Sequence, residues 1–507
     1  MRERRVGFKR KGCLTSPAKF VLAAFRRDLI VSREMKPAFA CRHFLILGFT
    51  FCAAAFSAGA ARSPLEAGVA EIDITPHVGY RMAGYFNQRL ATGTHDPLKA
   101  KAIILQDGKE KFAFAFCDLV GVTLHVTTNA RAQFSRASGI PVSHIMISAT
   151  HSHTGPSFDN VIRDYFHNKT VAATGKDPQE QYAYPEFLTA KLVKVFSEAD
   201  RKLVAANLSV GITKREGLGF NRRYHMKNGR VAWNPGQLNT NMVRPAGPID
   251  PDVAMLFVQP AGATKPAAGL TVFACHCDVI GGTEFSADYP FFLQETLRRE
   301  FGEHFISAFG AGTCGDINHI NTAEKWEKVK GFGRAATIGT NLANAVLAAQ
   351  KGLVTIKQPR FAMRNKILTV PLKEVSPEQV ADARAKLKLL EGGDDGGFMD
   401  KVVAVRDVDL SERGKSMPME VQAFRLDEDT AIVGLPCEIF VELGLAIKKV
   451  SPFKRTFVIS ICNDRPSYVP TLKAFGEGSY EITNARVKPG VGETLVDTAV
   501  ELLNKLK

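Results

Sequence analysis

Five short hydrophobic runs in this chain each stop at a cluster of polar residues, and no other feature of the sequence constrains the fold as strongly. Residues 144–149 (HIMISA) run into Thr150-His151-Ser152-His153, residues 270–275 (LTVFAC) into His276-Cys277-Asp278, and residues 305–310 (FISAFG) into the GTCGDINH stretch. Residues 431–436 (AIVGLP) end at Cys437-Glu438, and residues 456–461 (TFVISI) at CNDRPSYVP. Short apolar runs bounded in this way read as buried strands. Where strands run parallel, their carboxyl ends gather along one edge of the sheet, and ligands bind in the crevice there. His151, His276, Glu438 and Tyr468 can therefore meet although they lie far apart in the chain. Two imidazoles and a carboxylate are the ligand set of many catalytic zinc sites, which keep one position open for water or substrate. The plainer alternative is that a strand-end histidine only bonds its loop, and that Glu438 is a helix N-terminal charge favoured by the dipole. His125, His144, His167, His225 and His304 read as structural.

Around these ends the pattern alternates strands with helices, the signature of an α/β fold. Residues 102–106 and 111–117 form a hairpin about Asp107-Gly108, with Phe112, Phe114 and Phe116 alternating onto one buried face. Helices are expected over 122–138 with Gly139 as the stop, and over 184–205, 289–301 and 326–350. Ser376-Pro377-Glu378-Gln379 carries an N-cap, an N1 proline and an N3 glutamine, so a helix should run from there to about Glu391. The GGDDGG stretch (392–397) reads as a flexible loop, and residues 421–426 and 430–435 as a second hairpin. No repeat or low-complexity linker divides the body, so residues 62–507 are expected to form one large domain.

Charge narrows the partners. The chain of 507 residues carries a formal +15, but residues 1–61 hold twelve Lys/Arg against three Asp/Glu, leaving +6 for the body. With no nucleic-acid motif, that surplus is too modest for a protein that tracks phosphates. The front reads as a leader. Lys36 and Arg42 precede the apolar run 44–56, and Ala58-Gly59-Ala60 follows as a peptidase site, the layout of a secretory signal peptide. Met35 is then the expected start, and the product is exported, periplasmic or secreted. The alternative is an uncleaved anchor over residues 44–61, which just reaches the ~18 residues that can span a bilayer. Six of the nine cysteines lie beyond the leader. Their spacing fits neither a disulfide scaffold nor a zinc finger, and they read as buried small hydrophobes.

The clusters, taken in order, resemble the neutral/alkaline non-lysosomal ceramidase family. The resemblance runs from about Glu66 to Lys507. It rests on GVAEIDITP (68–76) with Gly84-Tyr85, on Gly93-Thr94-His95, THSHTGP (150–156) and Asn221-Arg222-Arg223, and on Gly247-Pro248-Ile249-Asp250. It continues through His276 with Ala287-Asp288-Tyr289-Pro290, GTCGDIN (312–318), VGLPCE (433–438), and Ser467-Tyr468-Val469-Pro470-Thr471 with Tyr480-Glu481. The resemblance implies a compact α/β catalytic domain of mixed sheets with covering helices. Larger members add an immunoglobulin-like C-terminal domain, which the resemblance here does not reach. It implies Zn2+ held by His151, His276, Glu438 and Tyr468, with His153 beside the metal and Tyr480, Arg222 and His95 toward the substrate. The implied activity is hydrolysis of the N-acyl amide of ceramide or a related N-acyl lipid, with peripheral membrane contact compatible and no protein partner implied.

One departure stands out. Where the family places a serine in Gly-Asp-x-Ser-Pro, this chain reads Gly315-Asp316-Ile317-Asn318-His319. Asn318 is no nucleophile, although its amide is of a type that can donate to an oxyanion. Three readings stay open: a ceramidase-like amidase working through metal and His153, another metal-dependent hydrolase on the same scaffold acting on a non-sphingolipid substrate, and a catalytically degenerate zinc-binding protein.

Overall fold

The Asp107 carboxylate accepts the backbone N–H groups of Lys109 and Glu110, and this turn closes the first long hairpin. The computed structural model describes residues 65–325, 330–392 and 397–507. The leader and residues 393–396 of the GGDDGG stretch lie outside the described residues. So do residues 326–329, and the helix expected over 326–350 is seen as Phe332–Ala348. Ala61–Lys507 is one unit by its internal contacts, separate from Met1–Ala60, and only the former is described.

Eight strands make the path of the larger sheet: β1 (Glu66–Asp73), β2 (Lys99–Gln106), β3 (Lys111–Cys117), β4 (Ile145–Ala149), β5 (Val204–Lys214), β6 (Asp252–Pro260), β7 (Ala268–Phe273) and β8 (Ile306–Ala311), in the order β8-β7-β6-β5-β1-β2-β3-β4. Val354–Thr355 adds a short ninth strand against β5. A second sheet holds β9 (Ala362–Pro371), β10 (Ser416–Arg425), β11 (Thr430–Gly434) and β12 (Arg455–Ile459), in that order. Both sheets are mixed. Most neighbours are antiparallel, but β3 with β4, β7 with β8, and β11 with β12 run parallel. Those three pairs contain every strand whose polar terminus was singled out above, so their carboxyl ends point the same way within each pair.

The sheets stack face to face. Phe112, Phe114, Phe116, Met146 and Leu256 of the larger sheet share one apolar cluster with Met363, Phe424, Ile432 and Phe457 of the smaller. Helices cover the outer faces. Phe134, Leu192, Leu293 and Ile338 lie over the larger sheet, and Leu443, Leu495 and Leu502 over the smaller. The hairpin expected to bury one side buries both. Phe112, Phe114 and Phe116 meet the second sheet, while Ala113, Ala115 and Cys117 meet the helices. Alternating large and small apolar residues look amphipathic by size alone, yet alanine and cysteine are what a closely packed helix requires. The Ser376 capping box forms as expected, but its α-helix stops at Lys386 and tightens into a 3-10 turn to Glu391. The helix expected over 184–205 ends at Arg201, because the chain enters β5 at Val204. All six cysteines of the body are free and buried.

Candidate metal centre

The strand termini converge through strained backbone. His151 just past β4, Cys437 just before Glu438 and Ile461 just past β12 have φ of 72°, 69° and 58°, a left-handed conformation that costs a β-branched or bulky residue energy and persists where surroundings over-determine it. Backbone bonds lock the three together: Ile461 donates to the Cys437 carbonyl at 3.0 Å, and Ala149 to the Ile461 carbonyl at 3.3 Å. Glu438 is then brought into register beside Tyr468 in a short parallel pair, Glu438–Ile439 with Tyr468–Val469.

His151 Nδ1 lies 2.8 Å from the Val120 carbonyl, His276 Nδ1 2.7 Å from that of Cys314, and His153 Nδ1 3.0 Å from that of Gly84. A carbonyl only accepts, so these partners assign the proton of each ring to Nδ1 and leave a lone pair on Nε2. The Nε2 atoms face one another. His151 and His153 are 3.4 Å apart there, and Glu438 Oε2 is 3.3 Å from Nε2 of both His151 and His276. Glu438 Oε2 is buried with no hydrogen-bond donor. Four acceptors thus crowd a common point, and the described protein offers that point one proton, from Arg222 Nη1 to His276 Nε2 at 3.2 Å. Buried acceptors without donors are costly, and a cation is the charge this geometry accommodates. The three imidazoles form a group whose donor atoms all lie within 4.8 Å of one another, able to hold a metal ion. Burial, then the Arg222 charge, pushes His276 down to about 4, and burial pushes His153 well below its ordinary range. Both rings are neutral at pH 7, as ligands and bases must be.

The loop behind His276 is held from below: the Asp288 carboxylate accepts the backbone N–H groups of Val279 and Ile280, each at 2.9 Å. Arg222 is fully engaged, donating to Glu481 at 2.7 Å and to the Gly315 carbonyl at 2.9 Å, with its guanidinium 5.5 Å from the Tyr468 ring. The cleft above these residues has two lobes of about 370 and 340 Å³, and Gly84, Tyr85, Phe86, His153, Tyr468 and Tyr480 line both. One lobe is the more polar of the two, edged by Arg413, Arg465 and Arg486. The other is aromatic: Trp233 stacks on Phe398 at 5.5 Å and leans on Tyr480 at 4.7 Å.

The structure therefore brings His151, His153, Glu438, Tyr468, Tyr480 and Arg222 to the lining of one cleft, with His276 against Glu438 and Arg222 beneath it. It does not bring His95 or Asn318 to the lining. His95 bonds Asp96 at 2.8 Å and stacks on Phe332 at 3.9 Å, because the pairing of Gly93–Thr94 with Glu284–Phe285 turns it that way. The Asn318 amide is used locally, its Oδ1 accepting from Ile320 and its Nδ2 donating to Asn234 Oδ1, both at 3.1 Å. Sequence reasoning passed over Trp233, Phe398 and Arg465. Trp233 had a signal, being one of only two tryptophans in the chain; Phe398 had none.

Residues 65–328 match the family model described as "Neutral/alkaline non-lysosomal ceramidase, N-terminal", which is more than half of the chain. The chain belongs to that family. The match includes His151, His153, Arg222, His276 and Asn318, whereas Glu438, Tyr468 and Tyr480 lie beyond it. Among solved structures, a neutral ceramidase from Pseudomonas aeruginosa is similar with a TM-score of 0.64 at 17% identity, covering 87% of this chain and 75% of that one. A structure described as ceramidase complexed with C2 is similar with a TM-score of 0.65, also at 17% identity, covering 87% of this chain and 76% of that one. At such identity the likeness is one of fold, and it extends the family's α/β architecture over most of the chain. No curated protein sequence matches. The protein is a ceramidase-like hydrolase by family and fold. Among the described residues no helix is long and apolar enough to cross a membrane.

Proposed function

We propose that the chain is an exported, zinc-dependent amidohydrolase that cleaves the N-acyl amide bond of ceramide or a related N-acyl lipid, releasing a fatty acid and an amine. The observation that carries this reading is the convergence of two imidazole lone pairs on the donorless Glu438 Oε2, 3.3 Å from each. Imidazole and carboxylate together suit zinc, and His151, His276, Glu438 and Tyr468 would hold it. When bound, zinc would polarise the scissile carbonyl and lower the pKa of a water toward ~7. His153 is the base. Its Nδ1–H is pinned by the Gly84 carbonyl, so the neutral Nε2 takes the proton from water and returns it to the departing amine. Tyr480, kept protonated because burial pushes its phenol up to about 12, donates a hydrogen bond to the substrate. The aromatic lobe takes the apolar chain. Asn318 acts at one remove, holding Asn234 in the wall of that lobe.

Purified protein should contain about one zinc per chain, and His151→Ala and His276→Ala should each lose it; stoichiometric zinc in both variants would refute the ligand assignment. A screen of N-acyl sphingoid bases, simple N-acyl amides and esters, run with and without a chelator, tests the reaction class. Asn318→Ala should raise KM for long-chain substrates more than it lowers kcat.

A further inference from the structure

Among the described residues, the Arg465 guanidinium in the polar lobe has no hydrogen-bonded acid, only a long ion pair with Glu438. The aspartates around it each bond another partner through at least one oxygen. Asp409 accepts Arg413 Nε at 3.0 Å and Arg486 Nε at 2.9 Å, so two guanidinium groups share one acid. Asp464 accepts the backbone N–H groups of Leu124 at 3.1 Å and Arg465 at 2.8 Å. Asp159 accepts the Thr123 hydroxyl at 2.9 Å, with His125 at 3.6 Å. The Arg465 guanidinium has no hydrogen-bond acceptor among the described residues. Its nearest carboxylate oxygen is Glu438 Oε1 at 4.0 Å, and Glu438 is turned to the metal centre. Yet the side chain is placed with care. It lies across buried Gly121, where an added Cβ would come within 2.2 Å of Arg465 Cδ and 2.4 Å of Nε. Only glycine leaves that groove open. The side chain is 28% exposed, and that exposure is to the cleft it lines.

An arginine fork seated in a cleft without a hydrogen-bonded acid fits a planar carboxylate, which it binds in a bidentate manner. Position narrows the ligand further. In an N-acyl α-amino acid, three covalent bonds (C–N, N–Cα, Cα–C) separate the scissile carbonyl carbon from the carboxylate carbon, a span on the order of 4 Å. Arg465 stands beside the centre, its Nη1 4.0 Å from Glu438 Oε1, so a carboxylate it holds lies only a few bonds from the scissile carbon. We propose that Arg465 is a carboxylate-binding residue and that the preferred substrates of this enzyme are N-acyl α-amino acids. The inference rests on the amidase reading above and narrows it. Hydrolysis breaks the C–N bond, water's oxygen joins the acyl carbon, and the proton goes to the amine, giving a fatty acid and a free amino acid. The acyl chain occupies the aromatic lobe and the head group the polar one.

The test compares N-lauroylglycine with N-lauroylethanolamine, a neutral analogue of similar length, on the zinc-loaded protein. The wild type should favour the glycine conjugate in kcat/KM by about tenfold or more, the scale of one charge-assisted hydrogen bond. In Arg465→Met, and in Arg465→Gln should the first variant fold poorly, that ratio should fall to about one through KM. A wild type that favours the ethanolamide overturns the proposal, as does a variant that slows both substrates in equal measure, which would mark Arg465 as mere support for Glu438. Cleavage of an N-acyl sphingoid base but of neither test substrate overturns the proposal; if no amide is cleaved, the amidase reading has failed, and calorimetry on metal-free protein decides this one. Tighter binding of N-lauroylglycine than of the ethanolamide, lost in Arg465→Met, sustains the carboxylate site, and equal affinities end it.

Discussion

Gly84 shows how one residue governs the cleft. Its φ is +104°, and a Cβ there would lie 2.6 Å from the His153 carbonyl oxygen, while its own carbonyl holds the His153 ring. Gly84→Ala should cost about 1–3 kcal/mol of stability and displace the proposed base, so turnover falls further than zinc content; melting curves and metal analysis separate the two. Lys373 gives a pH-dependent counterpart. Burial, then the charges of Arg406 and Arg486, push its ammonium down to about 8. The unfolded chain keeps that proton until about 10.4. Between these values the unfolded state binds more protons, so stability rises with pH, and the cost of the buried charge is fully present below 8. Lys373→Met should therefore melt above the wild type at pH 7, with the gap closing by pH 10. Individual roles were partly legible in the sequence. His-x-His at a strand end announced itself, whereas the engaged amide of Asn318 depends on Asn234, 84 residues away.

At the scale of elements, Asp316 is the tie between segments. One oxygen accepts the N–H of Val441, at the start of the helix Val441–Val450 that follows Glu438, and the other accepts Asn221 Nδ2. Asp316→Ala leaves a helix-terminal N–H unpaired and the Asn221 amide with only the Pro248 carbonyl, 3.1 Å away, at a cost of about 1–3 kcal/mol. Urea denaturation should show that loss. Affinity for the proposed zinc should fall by about tenfold or more, since outer partners orient ligands. Strands and capped helices were readable because their determinants are local: the Asp107 turn, the Gly139 stop, the Ser376 capping box. Helix ends were less so, since β5 rather than any stop signal ended the helix Tyr184–Arg201.

Across the whole molecule, the two sheets share one apolar layer, so they should unfold together. Phe424 lies in that layer, fully buried and 5.0 Å from Phe114 in ring-centroid distance. Phe424→Ala should cost about 3–5 kcal/mol, lowering the denaturant midpoint of a single transition; two separate transitions would show that the sheets are independent. The layer also sets the distance between β4 and β12, and so brings His151 toward the segment that carries Tyr468.

The chain's linear order determined the strands, the polar residues that end them and the family they belong to, because those depend on short-range periodicity and on residue identity. Which of those polar groups share a centre was decided only by folding. Parallel pairing and two stacked sheets turned His151, His276 and Glu438 toward one point, sent His95 and Asn318 elsewhere, and left Arg465 in an open lobe without a hydrogen-bonded acid. Side-chain direction and the supply of partners are properties of packing between distant segments, and no local pattern encodes them.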